Sequence, residues 1–389
     1  MSTEYLHGVR QTVNEHGYTP MPIVATSVIG LLATADDADS DAYPLNQAIL
    51  ITDIPSAIGK AGTEGTLKEA LQDIYKEAST AIVVIRVEEG VDEKGTIANV
   101  MGDIKEDKRT GLEVFELAQQ QCGVQPKIFI CPKYDTTPSV RLKLANIAEN
   151  ALGFAYVSFD DVITVSDALK ARENFSSSYA MPFYNNALAY NTELQADTER
   201  FSVAQVAGLR ARIDQEQGWH WSISNHLLKE AVGTTKEVTY KAINGYGTDA
   251  NTLNEKGISV FVRADGGIKT WGNRTVSKPD SSLFFEVYTR TNNFLAEEAA
   301  EYLRRSMQDK PLTRAVMEDF RLNYNNRLAD HKRAGRILGG QVILHPKKNG
   351  KDDLMQGRPD WELRFTAVPP AESPGIEITL TSDFINELM

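Results

Sequence analysis

His220, Ser222, Ser224 and His226 stand within seven residues of one another in GWHWSISNH, close enough for a hydroxyl nucleophile and an imidazole base to be imagined. That chemistry needs a third group, a carboxylate at orienting spacing, and none accompanies them. Aromatic packing around Trp219 and Trp221 accounts better for the segment. The other histidines, His7, His16, His331 and His345, form no H-E-x-x-H, and no G-x-S-x-G elbow occurs. GKAGTEGT, residues 59–66, is glycine-rich and precedes a helical pattern as a phosphate loop would. It lacks the G-x-x-x-x-G-K-[ST] order, however, and Lys60 comes too early. Asp37, Asp39 and Asp41 imitate the start of a calcium loop, yet Ala42 stands where glycine is required and Ala48 where the closing glutamate belongs, so a solvated acidic turn is expected. Cys122 and Cys131 lack the paired spacing of a zinc site or a disulfide framework, and reduced thiols are expected. No residue is assigned to catalysis, to a cofactor or to a metal.

Positioning elements are nevertheless plentiful. With 42% hydrophobic and 24% charged residues, the 389-residue chain has the composition of a folded globular protein and exceeds the usual size of a single core. Residues 1–20 are polar and aperiodic and read as an arm. Two apolar β-rich runs follow, IVATSVIGLLATA and AILITDIP, with the acidic turn DDADSD after the first. From residue 66 to 184 helical and strand patterns alternate: helices are predicted over 66–78, 111–121, 138–148 and 166–172, and strands over 81–87, 127–131, 154–158 and 178–183. Such alternation is the pattern of βαβ units around a mainly parallel sheet.

Beyond residue 203 a helix is predicted to about 217, then a hairpin of 258–263 with 267–271 around Ala264-Asp265-Gly266. Helices are predicted over 284–309 and from Pro311 to Gly335, the second carrying a buried stripe of Leu312, Val316, Phe320, Tyr324 and Leu328. A second hairpin joins QVILHP to WELRFTAVPP. Past Pro369-Pro370, Ile376, Ile378 and Leu380 alternate with Glu377, Thr379 and Thr381, a strand pattern cut off by breakers from any partner in sequence. A strand so placed is suited to pairing with another molecule.

The net charge of −12 argues against broad nucleic-acid binding, which needs an excess of Lys and Arg. Between 303 and 351, however, twelve basic residues face only four acidic ones. Arg314, Arg321 and Lys332 fall on one helical face, and Arg333 and Arg336 extend the basic run. This ridge reads either as a solvated face or as a dock for an acidic partner. Neither a secretory signal, an apolar stretch of about 20 residues nor a lipidation motif is visible, so a protein made and kept in the cytoplasm, with no membrane insertion, is expected.

Two long stretches, GLRARIDQEQGWHWSISN (208–225) and LNEKGISVFVRADGGIKTWGNRT (253–275), resemble the tail sheath proteins of contractile-tailed, myovirus-type temperate phages, relatives of R-type pyocin and other contractile injection system sheaths. HGVR, PLNQAILITD and FTAVPPAE look similar as well, in the expected order. The residues that carry the likeness are Asp214, Gly218, Trp219, Ser224 and Asn225 in the first stretch, and Arg263, Gly266, Trp271, Gly272 and Arg274 in the second. All are structural types: glycines for tight turns and tryptophans as large anchors.

The resemblance implies an α/β plus α+β protein. It has a linking arm (1–20), an outer α/β domain with a mainly parallel sheet (21–275), an inner tube-facing α+β domain (276–370) and a second linking arm (371–389). Strands exchanged with neighbouring subunits would complete the inner domain, through Val9 and Val13 in the first arm and Ile376, Ile378 and Leu380 in the last. It further implies hexameric rings stacked as a six-start helix around a tail tube, with baseplate and tail terminator proteins as further partners, no cofactor, and contraction that drives the tube through the host envelope. The particle would be assembled in the host cytoplasm and reside in the virion. The ridge of Arg314, Arg321, Lys332, Arg333 and Arg336 would then face an acidic tube. Two other readings stay open: the sheath of another contractile device, a bacteriocin or secretion system, and an α/β hydrolase with dispersed site residues.

Overall fold

A computed structural model of the chain describes residues 25–159, 161–191 and 195–384. Apolar β-branched runs build its centre, a six-stranded sheet of β1 (Ile29–Thr34), β2 (Ala48–Ile51), β3 (Ile82–Val87), β4 (Ile128–Ile130), β5 (Phe154–Ser158) and β6 (Ala180–Phe183). Their order is β2-β3-β1-β4-β5-β6. All neighbours are parallel except β2, which runs antiparallel to β3 at the edge. Strands buried on both faces read as continuous apolar runs, as IVVIRV does in β3.

Two helical layers cover the sheet. Leu31, Val84, Ile130 and Tyr156 point to one face, packed by α1 (Leu67–Glu77) and by a long helix at Ser202–Glu216. Leu32, Val83, Phe129 and Ala155 point to the other, packed by α2 (Pro138–Asn150) and α3 (Val165–Glu173). The long helix, α4, sits against α1 so closely that a Cβ at Gly208 would lie 2.7 Å from Glu77 Cβ and 2.8 Å from the Ile74 carbonyl oxygen. Only glycine admits that approach.

Differences from the sequence reading have local causes. Residues 111–117 form a 3-10 turn before a short α-helix, so the segment is not one continuous α-helix. The helix expected from Pro311 starts at Arg314, because Thr313 accepts a hydrogen bond from the Val316 amide and acts as its N-cap. Unforeseen elements are a helix at Glu93–Met101 and a small antiparallel sheet, β7 (Ala187–Asn191), β8 (Ala196–Glu199) and β9 (Ala231–Thr234), whose strands lack long apolar alternation. The first expected hairpin is β10 (Val260–Ala264) with β11 (Gly267–Trp271).

A second core lies toward the C-terminus. Helices α5 (Glu286–Ser306) and α6 (Arg314–Arg333) pack with the hairpin of β12 (Ile337–Leu344) and β13 (Trp361–Ala367). Phe320, Tyr324 and Leu328 of the expected stripe are buried there, while Leu312 and Val316 are half-buried at its margin. Residues 371–384 form no strand within the chain. Val9 and Val13 lie outside the described residues.

Candidate functional site

The 208–225 stretch is built around a buried charge cluster. Arg210 and Asp214, one turn apart on α4, pair at 2.9 Å with both side chains fully enclosed. The second oxygen of Asp214 accepts from Arg290 of α5. Glu286, one turn before Arg290, accepts from the Tyr156 hydroxyl at 2.8 Å and lies 3.4 Å from Arg210 Nη1. Nη1 of Arg210 also donates to the Trp221 carbonyl at 2.7 Å. Burial pulls the Arg210 guanidinium down, but Asp214 and Glu286 outweigh it and hold the group above its ordinary value. Two cations and two anions thus join α4, α5, β5 and the Gly218 turn. Removing one member would strand its partners in a dry site.

The turn at Gly218 sends Trp219 into the second core, where it stacks on Phe294 and meets His331 edge-on. Beside His331, Glu298 is enclosed and accepts from its Nε2 at 2.9 Å and from Arg327 Nε at 2.7 Å. A side chain from the sheet-bearing part of the chain therefore fills the core of the C-terminal part.

The two resembling stretches dock on each other. The Asn225 amide donates to the Thr270 carbonyl at 2.7 Å, the Thr270 amide to the His226 carbonyl at 3.1 Å, and the Leu228 amide to the Ile268 carbonyl at 2.9 Å, so residues 225–228 run along the free edge of β11. Ser224 Oγ accepts from the Gly272 amide at 3.1 Å, and Asn225 Oδ1 accepts from Lys269 Nζ at 2.9 Å. Gly272 has φ +131°, and a Cβ there would fall 2.5 Å from Ser259 Oγ. Trp271 meets Tyr240 edge-on at 5.0 Å. Gly266 makes the β10–β11 turn, and the exposed Arg263 donates to the Val232 carbonyl of β9.

Arg274 closes the second stretch and reaches the end of the chain. Its Nε and Nη2 donate to the two oxygens of Glu372 at 2.6 and 2.7 Å, a bidentate clamp, with Phe284 and Phe285 against the guanidinium. Beyond it Ile376, Ile378 and Leu380 are 88%, 86% and 99% exposed.

The basic ridge divides into two classes. Arg321 pairs with Glu318 and Arg333 with Asp330, each three residues back on α6. Arg314 and Lys332 are exposed and Arg336 half-buried, and among the described residues none of the three has an ion pair. The structure brings Arg314, Arg321 and Lys332 onto one helix but leaves the available charge on Arg314, Lys332 and Arg336.

The candidate catalytic and phosphate groups are committed internally. Ser224 Oγ is bound to Gly272, Ser222 Oγ accepts from the Ser224 amide at 3.2 Å, and His226 Nδ1 lies 3.0 Å from the Ser224 carbonyl oxygen. Burial lowers both His220 and His226. In the glycine-rich loop the amides of Thr63 and Glu64 and the Thr63 hydroxyl donate to Asp37 at 2.7, 2.9 and 2.8 Å, so a carboxylate of the chain occupies the anion nest. The crevice between the C-terminal ends of β1 and β4, where strand order reverses and α/β proteins keep their ligands, is closed by a Thr34–Tyr134–Glu89 triangle with edges of 2.8, 2.9 and 3.0 Å. Among the described residues no group of three or more His, Cys, Asp or Glu side chains has metal-site geometry, and no helix is long and apolar enough to cross a membrane.

A family model described as the phage tail sheath protein central domain matches residues 107–276, and one described as the tail sheath protein Gp18 domain III N-terminal region matches residues 26–87. The chain is 34% identical to the tail sheath protein of Escherichia phage P2 over 100% of its own length and 98% of that protein's. The chain belongs to the tail sheath protein family. The major tail sheath protein of Serratia phage KSP20 is a further relative, 35% identical over 99% of this chain and 97% of its own. Solved sheaths of contractile injection systems share the fold. The anti-feeding prophage helical sheath in its contracted state aligns with TM-score 0.71 at 17% identity, over 97% of this chain and all (100%) of that one. The PVC sheath complex in its contracted state gives 0.68 at 14%, over 98% and 100%.

This sheath protein is accordingly a structural component of a contractile phage tail and not an enzyme. Both resembling stretches fall inside the matched central domain. The sequence reading singled out Asp214 but missed Arg210, Glu286, Arg290 and Tyr156. Its available signal was two opposite-charge pairs spaced i,i+4, Arg210/Asp214 and Glu286/Arg290, in otherwise well-packed helices.

Proposed function

We propose that copies of this sheath subunit polymerise as hexameric rings, stacked in a six-start helix around a tail tube from the baseplate to a terminator. The extended polymer shortens and widens on triggering, and the free energy released drives the tube through the host envelope for genome delivery. It assembles in the host cytoplasm and ends in the virion. The chain is organised for this as arm 1–20, outer domain 21–275, inner domain 276–370 and arm 371–389. Strands shared between copies, from Val9 and Val13 at one end and Ile376, Ile378 and Leu380 at the other, keep the polymer linked while subunits move. Arg314, Lys332 and Arg336, with the locally paired Arg321 and Arg333, face an acidic tube through weak, exposed ion pairs that release on contraction.

One observation carries this reading. A strand-patterned tail stands almost fully exposed beyond a bidentate clamp to its own subunit, and a row of three large aliphatic side chains in water calls for a partner outside the chain. Deleting residues 375–389, which removes Ile376, Ile378 and Leu380, or residues 1–20, leaves a folded subunit that no longer forms tubular sheaths in negative-stain micrographs. Normal tubes from either truncation would refute strand sharing. The phage relatives at 34% and 35% identity favour a phage tail over another contractile device.

A further inference from the structure

A groove of about 900 Å³ lies between the central sheet and α5, at the end where β1 and β4 begin. Val28, Phe115, Ile147, Leu152 and Ala300 give it apolar walls. Every charged side chain that lines it is already answered within the chain: Lys127 by Glu297 at 2.7 Å, Arg304 and Arg305 by Glu301 at 2.6 and 2.7 Å, and Glu116 by Arg109 at 3.1 Å. No charge is left to call for an ionic ligand, so the groove fits an uncharged, apolar guest.

Leu152 points to the same kind of guest. Just after α2 it holds φ +49°, in the left-handed region that glycine or asparagine enters at lower cost. It is half-buried on the groove wall. A bulky aliphatic side chain kept at such a position has a use when something apolar lies against it.

A guest of this chemistry is next in the chain. Ala25, the first described residue, itself lines the groove. The path beyond it is pinned, because the Thr80 hydroxyl donates to the Ser27 carbonyl at 2.8 Å and the Lys127 amide to the Val28 carbonyl at 2.9 Å. Met21, Pro22, Ile23 and Val24 precede Ala25, four uncharged apolar residues in a row. At no more than about 3.6 Å per residue they stay within about 15 Å of Ala25, so their choice is this groove or water. Pro22 favours an extended path for Met21 and adds no backbone donor that needs a partner.

We infer that residues 21–24 occupy the groove of their own chain, rooting the N-terminal arm between the sheet and α5. Only residues 1–20 then extend beyond the subunit. A tethered segment outcompetes the same segment of a second copy through its high effective concentration. The assignment holds whether or not strands are shared between copies.

Full-length chains carrying Ile23→Cys with Ala300→Cys, or Ile23→Cys with Ala151→Cys, are oxidised mildly at concentrations where the chain is monomeric. Mass spectrometry of the linked peptides distinguishes the new pairs from Cys122 and Cys131. At least one pair is expected to close within a single chain. In parallel, Ile23→Asp should lower the melting temperature by a few degrees and raise the binding of an apolar dye severalfold, while Val13→Asp changes neither. The assignment falls if neither pair closes within a chain, and it falls equally if Ile23→Asp melts as the wild type does. Links between chains in place of links within one give the groove to a second copy and overturn the occupant.

Discussion

Trp219 lies flat against Phe294, with ring centroids 4.2 Å apart and planes 21° from parallel. The first belongs to the turn after α4 and the second to α5, so one stacked pair joins the sheet-bearing part of the subunit to its C-terminal core. Trp219→Ala should cost about 3–5 kcal/mol, the range for emptying a large aromatic site, and Trp219→Phe distinctly less. Urea unfolding followed by circular dichroism measures both.

Asp214 answers two arginines at once, Arg210 on its own helix and Arg290 on α5. Asp214→Asn keeps the shape and removes the charge, leaving two guanidinium groups against Glu286 alone. A loss of about 3–5 kcal/mol is expected, as for a broken buried ion pair. Replacing both Asp214 and Arg290 by neutral isosteres should cost less than the sum of the single changes, which a double-mutant cycle in urea would reveal.

Asp135 is fully buried, with one oxygen on the Ser158 amide at 2.8 Å and the other without a hydrogen-bond partner. Burial pushes its carboxyl up to about 8, against the pull of Ser158 and Arg141. An unfolded aspartate loses its proton near pH ~4, so between there and about 8 the folded state holds a proton that the unfolded state has lost. The contribution to stability is full below that window, declines as pH rises through it and is gone above. Asp135→Asn should therefore melt higher than the wild type at about pH 9 and near it at about pH 5. Asp73 and Glu77, raised by burial to about 7, leave a residual slope of the same sign in the variant.

On the ridge, Arg314→Glu with Lys332→Glu should weaken sheath assembly on tail tubes severalfold and leave tube-free polymerisation near normal. Arg321→Ala should do less, since Glu318 already answers that charge. Sedimentation of sheaths formed with and without tubes separates the two effects, and equal loss in both would count against docking.

Arg274→Ala removes a half-exposed clamp, so stability should change by less than about 1 kcal/mol. The tail, however, loses its tether at Glu372. Limited proteolysis of the subunit should then cut after residue 370 several times faster, at an unchanged melting temperature.

Much of this architecture is written locally. Strand 154–158 coincides with its apolar run, and Pro138 opens α2 as a proline at the first helical turn should. The alternation from residue 66 to 184 carries the parallel sheet, because period and breakers are properties of neighbouring residues. Residues 376–380 likewise announce a strand by alternation alone. What eluded the sequence were elements with weak local patterns, such as β7, β8 and β9, and a helix start that moved to Arg314 because the Thr313 hydroxyl caps the first turn, which a proline ring cannot do.

The sequence by itself determined the sheet, the two hairpins, the basic run and the likeness carried by residues 208–225 and 253–275. Tertiary structure alone decided which of those charges are available and what the likeness is for. Arg210 and Glu286 lie 76 residues apart yet share a site, Arg274 and Glu372 lie 98 apart, and Asn325 closes the edge of a strand that follows it by 17. Hydrogen bonds and ion pairs at such separations depend on how helices and strands are brought together, which no local period encodes.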